Sequence, residues 1–339
     1  MADFEHPRTA ACSRRRLLEG LGGAAAAGLL RPVPASCLPA GRLGVNFKRT
    51  PSEPLDGQAA RRSLRRLASD GAGCVAFIPF LWQAAPTASR LVRGNDLSDG
   101  ELLAGVTAAR REGLDVIIKP HVWIPSAWAG MIEPDDRTEW LSCYEREMLA
   151  LAALAEKAQA RALVVATEIR TLDHSAWLAG LAQDIRRIYS GPLVYCLHSI
   201  EDAETFPHWR AFDVIGINLY PELGPSAEDQ AMVERMDKVV ARLDAVIAKM
   251  ARTVWITELG LMSARGAQAK PWLSPEELPA PPDPAIQQRV LSLWLDRLLP
   301  RPIERVLFWC WYSDPDAGGP NDRDFTIQNK PAERLLARG

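Results

Sequence analysis

An alternation that begins after residue 40 constrains this chain more than any other feature. Short apolar, β-branched runs recur at 43–47, 74–80, 115–119, 162–167, 192–197, 213–218, 253–257 and 305–311. The longer segments between them carry apolar residues at helical spacing, most clearly at 57–69, 99–112, 138–160, 175–189, 227–250 and 284–299, and a further helical segment closes the chain. Uninterrupted apolar runs suit strands buried on both faces, and parallel neighbours need a crossover helix between them. Eight such units in about 300 residues predict an α/β fold, a single (β/α)8 TIM barrel. A doubly wound open sheet shares the alternation, but it ordinarily carries a glycine-rich first turn. Here the first run is followed by Lys48-Arg49-Thr50-Pro51. The Pro/Glu-rich stretch 271–284 and the segment 314–323 read as insertions within one domain spanning 37–339.

The first 36 residues read differently. Ser13-Arg14-Arg15-Arg16-Leu17-Leu18, a Gly/Ala-rich run over 20–30 and Val33-Pro34-Ala35 have the layout of a twin-arginine-type export signal. The precursor would then engage the twin-arginine export machinery and the mature protein would be periplasmic or extracellular. The run is too short for a membrane span, which needs about 20 apolar residues. Lipid anchoring at Cys37 is the alternative, against a poor lipobox in Pro34-Ala35-Ser36. Gly20, Gly22 and Ala25 match a dinucleotide fingerprint in form only, since no strand precedes them. Cys74, Cys143, Cys196 and Cys310 show no CxxC spacing and are expected to be buried thiols.

Charge narrows the function. A net charge of −2 provides no basic field for nucleic acid or anionic lipid. Five histidines, without His-x-His or His-Glu-x-x-His spacing, make a histidine-rich metal hydrolase a poor fit, so neither metal nor organic cofactor is expected. Tryptophan is over-supplied, with eleven against eight Phe and five Tyr, and its flat amphipathic faces suit sugar rings.

In a barrel, the residues just past each strand's C-terminal end form the site. Those points carry Asn46 in the first run, Trp82 after the second, Lys119, His121 and Trp123 at the third, and Glu168 after the fourth. Asn218 and Tyr220 follow from the sixth run, Glu258 from the seventh, and Trp309, Trp311 and Asp314 from the eighth. Trp309 and Trp311 stand at i and i+2 and are expected to share one strand face. A lone rim glutamate is ordinarily a salt-bridged residue. Here two runs each end in Thr-Glu, and two carboxylates on one cleft are what glycosidic cleavage needs: one protonated to donate to the leaving oxygen, one ionised to attack or stabilise the anomeric carbon. Lys119, His121, Trp123, Asn218, Tyr220 and the rim tryptophans would hold a β-linked glycan.

These motifs resemble the clan A retaining glycoside hydrolases, and most closely glycoside hydrolase family 113, a β-mannanase family. The resemblance rests on Gly44-Val45-Asn46-Phe47, Ile118-Lys119-Pro120-His121-Val122, Ala166-Thr167-Glu168-Ile169, the stretch from Phe212 through Asn218 to Tyr220, Ile256-Thr257-Glu258-Leu259-Gly260, and the closing Phe325-Thr326-Ile327 with Lys330-Pro331-Ala332. It implies Glu168 as acid/base, Glu258 as nucleophile, and hydrolysis with retention of a β-linked, mannan-like glycan. Two positions depart from the family pattern: Ala166, where glycine is common, and Leu197-His198-Ser199 after the fifth run.

The rival class is a non-hydrolytic carbohydrate-binding or polysaccharide-assembly protein on the same barrel. The hydrolase reading requires both glutamates to face one sugar-sized gap, with neither turned inward and neutralised by a cation.

Overall fold

The computed structural model describes residues 41–94, 97–125 and 127–339, so the expected export leader and Cys37 lie outside the described residues. In chain order the elements are β1 (Leu43–Lys48), α1 (Gln58–Ser69), β2 (Cys74–Phe77), β3 (Phe80–Gln83), β4 (Leu91–Arg93), α2 (Asp99–Arg111), β5 (Asp115–Ile118), β6 (His121–Trp123) and α3 (Arg137–Lys157). They continue with β7 (Ala162–Thr167), α4 (Trp177–Arg186), β8 (Leu193–Leu197), α5 (Ile200–Thr205), β9 (Val214–Leu219), α6 (Asp229–Met250), β10 (Thr253–Leu259), α7 (Pro284–Leu298) and β11 (Ile303–Tyr312). Strands β1, β2, β5, β7, β8, β9, β10 and β11 close in that order into a parallel barrel. Each apolar run supplies one barrel strand, as the (β/α)8 reading predicts.

Two runs are cut short by proline. The second stops at Phe77 and the third at Ile118, because Pro79 and Pro120 have no N–H to continue the ladder. The chain restarts beyond them as β3 and β6, which pair in parallel, with β4 antiparallel on β3, to make a small sheet on the rim. At the other end of the chain, the expected closing helix is a 3₁₀ segment, Pro331–Arg338, packed against α7. The short α5 was not marked by any long periodic segment.

Helix starts follow capping chemistry. Ser98, Asp136 and Asp283 each accept a backbone N–H of the first turn of α2, α3 and α7, and Pro284 opens α7. Packing divides into two clusters. The larger lies between strands and helices; the smaller, including Ala76, Ile117, Val164, Val194 and Trp255, contains only strand residues and fills the barrel. Trp255 plugs the N-terminal end, its indole donating to Glu304 at 3.2 Å, with the Arg305 guanidinium 5.6 Å from its ring and paired to Asp115. Higher up, Gly216 leaves room where a Cβ would meet Thr257 Cγ2 at 2.7 Å. Cys74, Cys143, Cys196 and Cys310 are free and buried. No helix among the described residues is long and apolar enough to cross a membrane.

Alternation fails on three strands, and all three lead to the site. Register slips by one residue around Val165 of β7, Thr257 of β10 and Cys310 of β11. Such bulges re-aim the side chains beside them.

Candidate active site

Glu168 directly follows β7 with φ at +58°, in the left-handed region that residues other than glycine rarely adopt. That turn sends its carboxylate to the barrel mouth, where the side chain is 14% exposed. Oε2 accepts from the Trp128 indole at 2.8 Å, and Oε1 accepts from Asn218 Nδ2 at 2.8 Å. His198 Nδ1, just past β8, lies 3.0 Å from the same Oε1. Asn218 is itself oriented from beneath, because the Thr257 hydroxyl donates to its Oδ1 at 2.8 Å and leaves the amide nitrogen facing Glu168. Thr257 immediately precedes Glu258, so a chain of hydrogen bonds joins the two carboxylate strands.

Glu258 has an opposite environment. Lys119 Nζ donates to its Oε1, His121 Nε2 lies 3.2 Å from that oxygen, and Tyr220 donates its phenol proton to Oε2 at 2.8 Å. Burial alone would push this carboxyl upward; the Lys119 charge, with His121, overcomes it and holds Glu258 down at about 2. Glu258 is therefore fully ionised near neutrality. Burial, then the nearby Lys119 cation, lower the His121 imidazole below its ordinary value. Its Nε2 lies 2.7 Å from Lys119 Nζ and 3.2 Å from Glu258 Oε1, so the tautomer decides whether it accepts from the ammonium or donates to the carboxylate. Tyr220 is pushed well above a normal phenol by burial and then by the charges of both Glu258 and Glu168. Glu168, just past the end of β7, and Glu258, near the end of β10, share the C-terminal end of the barrel.

Glu258 is 5% exposed and paired with the wholly buried Lys119, which is one half of the condition that would exclude the hydrolase reading. The pair nonetheless lies at the mouth rather than inside the barrel. Lys119 Nζ is 5.4 Å from the Trp309 ring, and His121, 15% exposed, lies 5.3 Å from the same ring. A carboxylate buried this deeply needs such a cation to remain ionised.

The other expected site residues divide. Trp309 is half-buried on the cleft floor among Lys119, His121 and Lys48, and its peptide bond to Cys310 is cis. Trp82 and Trp123, 38% and 48% exposed, meet edge to face at 6.2 Å on the rim sheet beside Phe80. Trp311 is not in the cleft. It is fully buried and donates its indole N–H to Ser63 of α1 at 2.8 Å. The reason is the bulge: Asn46 pairs with Trp309 and Phe47 with Trp311, so Cys310 is skipped and the i, i+2 rule fails. Asn46 also turns away from substrate, wholly buried with Nδ2 donating to the Thr257 and Phe308 carbonyls at 3.0 and 3.2 Å. It ties β1 to the strands bearing Glu258 and Trp309. Asn218, 1% exposed, contacts Glu168 instead of solvent, and Asp314 caps its own loop by accepting from Asp316 N–H at 2.9 Å.

Three contributors were not among the sequence candidates. Lys48 closes β1 and sets its ammonium 5.5 Å from the Trp309 ring. His198 stands at a strand end, the signal used for the other strands. Trp128 reaches the site through a loop pinched by an Ile124–Ala127 bridge, for which the sequence carries no local sign.

A parallel (β/α)8 barrel with two glutamates at one mouth, one clamped ionised and one ringed by polar donors and an imidazole, defines the class of barrel glycosidases. The sequence profile of Glycoside Hydrolase Family 113 matches residues 48–330, and the chain belongs to that family. The protein is accordingly a glycoside hydrolase. Among solved structures, the fold is similar to the family 113 β-mannanase of Alicyclobacillus acidocaldarius in complex with ManMIm, with a TM-score of 0.79, 23% identity and coverage of 90% of this chain and 98% of that one. A family 113 β-1,4-mannanase complex gives a TM-score of 0.78 at 21% identity, covering 87% and 97%. A fungal β-1,4-galactanase gives 0.57 at 13%, covering 89% and 100%. A search of the curated proteins finds no match.

Proposed function

We propose that the protein hydrolyses a β-linked, mannan-like polysaccharide or oligosaccharide with retention, Glu258 acting as nucleophile and Glu168 as acid/base. The observation that carries this reading is the contrast between the two carboxylates: Lys119 holds Glu258 ionised, whereas Glu168 has a ring nitrogen beside it that can exchange a proton. In the first step the proton on Glu168 passes to the glycosidic oxygen as its bond to the anomeric carbon breaks, and Glu258 bonds that carbon. In the second step water attacks the same carbon, Glu168 takes its proton, and Glu258 leaves. Tyr220 keeps the departing Glu258 oxygen aligned. Trp309 floors the reacting sugar, and the Trp82–Trp123 pair offers a second apolar face, which fits a chain of several sugars. The family membership and the printed mannan specificity of the structural neighbours support the mannan-like substrate. Residues 1–36 are proposed as the export signal, so the working site would be outside the cytoplasm; retention of a reporter inside cells after Arg14→Lys and Arg15→Lys would bear this out, and unchanged export would refute it.

The test is replacement of Glu258 by Gln and by Gly, assayed on aryl β-glycosides and mannan oligosaccharides with and without azide. Activity should fall by about 10⁴-fold or more, and azide should restore the Gly variant while forming a glycosyl azide. Undiminished hydrolysis in both variants excludes the assignment, and glycan binding without turnover by the wild type would favour the non-hydrolytic alternative.

A further inference from the structure

The three partners of Glu168 pose a difficulty for an acid. The Trp128 indole can only donate, and Asn218, fixed by Thr257, presents its amide hydrogens. Both favour the carboxylate, yet a general acid must hold a proton. Among the described residues, the one neighbour of Glu168 able either to give or to take a proton is His198, whose Nδ1 lies 3.0 Å from Oε1. Its ring is fixed against Trp128, with centroids 4.2 Å apart, and the side chain remains one-third exposed.

We propose that Glu168 and His198 hold one proton in common, and that this shared proton is the one delivered to the leaving glycosidic oxygen; the proposal rests on Glu168 being the acid/base. Before cleavage the proton is on Nδ1 beside a carboxylate or on Oε1 beside a neutral imidazole, and the pair has no net charge in either form. As the glycosidic bond breaks, its electron pair goes to the leaving oxygen and the proton follows, so the pair becomes Glu168 carboxylate with neutral His198. The attacking water returns a proton to the pair in the second step. His198 is thus a positioning residue that sets the pH range over which Glu168 can act.

The electrostatics agree. Burial opposes a charged imidazole, but the hydrogen bond and charge of Glu168, with the charge of Asp202 on α5, outweigh it and raise His198 above its ordinary value. Among the described residues, Arg170 and Asp173 in the turn after β7 also face it. Arg170 is engaged with Asp202 at 3.2 Å. Asp173, lifted by burial to about 7, accepts from Tyr195 at 2.8 Å. Its own titration could move the same limb, so Asp173→Asn, which can still accept from Tyr195, is the control.

Two variants test the pair: His198→Asn, which keeps a donor near Nδ1 but cannot titrate, and His198→Phe, which keeps the ring against Trp128. In both, the alkaline limb of kcat/KM should move at least about one pH unit toward acid, and kcat near pH 7 on oligosaccharides should fall by about 10- to 100-fold. Aryl glycosides with activated leaving groups should be largely spared, because they need no proton. An unmoved limb in folded variants, equal losses on both substrates, or the same shift in Asp173→Asn would overturn the proposal. NMR titration of the His198 ring gives a readout independent of turnover: its titration should fall to lower pH in Glu168→Gln. If it does not, the shared proton is refuted; if it does while wild type fails to hydrolyse any glycan, the functional reading fails and the pair stands.

Discussion

Lys119 is wholly buried, yet it is one of the most consequential polar residues of the site, because it opposes the burial that would otherwise neutralise Glu258. The sign follows from the linkage. Glu258 is depressed to about 2, so its ionised form contributes stability above the ordinary carboxylate range, and that contribution is lost as pH falls toward about 2. Lys119→Met removes the strongest influence opposing burial and leaves only His121 and Tyr220 to favour the carboxylate. The acid limb of kcat/KM should rise by about 1–3 pH units. Near pH 7 the variant should also be about 3–5 kcal/mol less stable, the cost of leaving a buried charge unpaired. Adding Glu258→Gln should restore most of that stability and none of the activity. Parallel pH–rate profiles and denaturant titrations check both effects, and an unmoved acid limb would show that Lys119 does not set the Glu258 charge.

At the scale of elements, the site is carried by strands that break their own alternation. Thr257 is the residue skipped in the pairing of β10 with β9, and its hydroxyl reaches Asn218 and so orients the amide that faces Glu168. Thr257→Val keeps the shape but leaves Asn218 Oδ1 without its donor. A stability loss of about 1–2 kcal/mol is expected, with kcat reduced by about 10- to 100-fold through misplacement of Glu168. Retention of full kcat would mean that Asn218 is held by packing alone. The same strands decide what could be read from sequence. Glu168, Glu258 and Tyr220 were legible because each follows an unbroken apolar run, and the rule that barrel chemistry sits past strand ends needs only that run. Trp311 was misread because the bulge at Cys310 depends on how β11 pairs with β1, a contact between residues some 260 positions apart, as in the hydrogen bond from Asn46 to Phe308. Asn46 and Asn218 were identified as polar strand-end residues, but whether such a residue meets substrate or the neighbouring strand is set by barrel closure. Trp128 depends on a loop whose fold has no periodicity to betray it.

The whole molecule must close its first strand onto its last, and one side chain fastens that seam away from the chemistry. Arg42, just before β1, donates from Nη1 to the Leu299 carbonyl at 2.8 Å, from Nε to Ile303 at 3.0 Å and from Nη2 to Arg301 at 3.1 Å. Its own carbonyl accepts from Val306 N–H at 3.0 Å. The guanidinium thereby satisfies three carbonyls at the end of α7 and the start of β11. Arg42→Ala would leave those carbonyls to water and loosen the closure. Hydrogen bonds to a charged group contribute about 1.5–3 kcal/mol net; because Arg42 is only partly buried and water can reach the freed carbonyls, a loss of about 2–4 kcal/mol is expected. For a domain of this size that corresponds to a Tm lower by about 5–10 °C. The seam lies at the N-terminal end of the barrel and the carboxylates at the other, so kcat and KM at 25 °C should be unchanged. Arg42→Lys, which can reach one of the carbonyls, should fall between wild type and Ala in Tm. Calorimetry alongside steady-state assays separates the outcomes: an Ala variant that melts with wild type would show that closure does not depend on Arg42, and one that loses activity at 25 °C without losing stability would show that the two ends of the barrel are coupled.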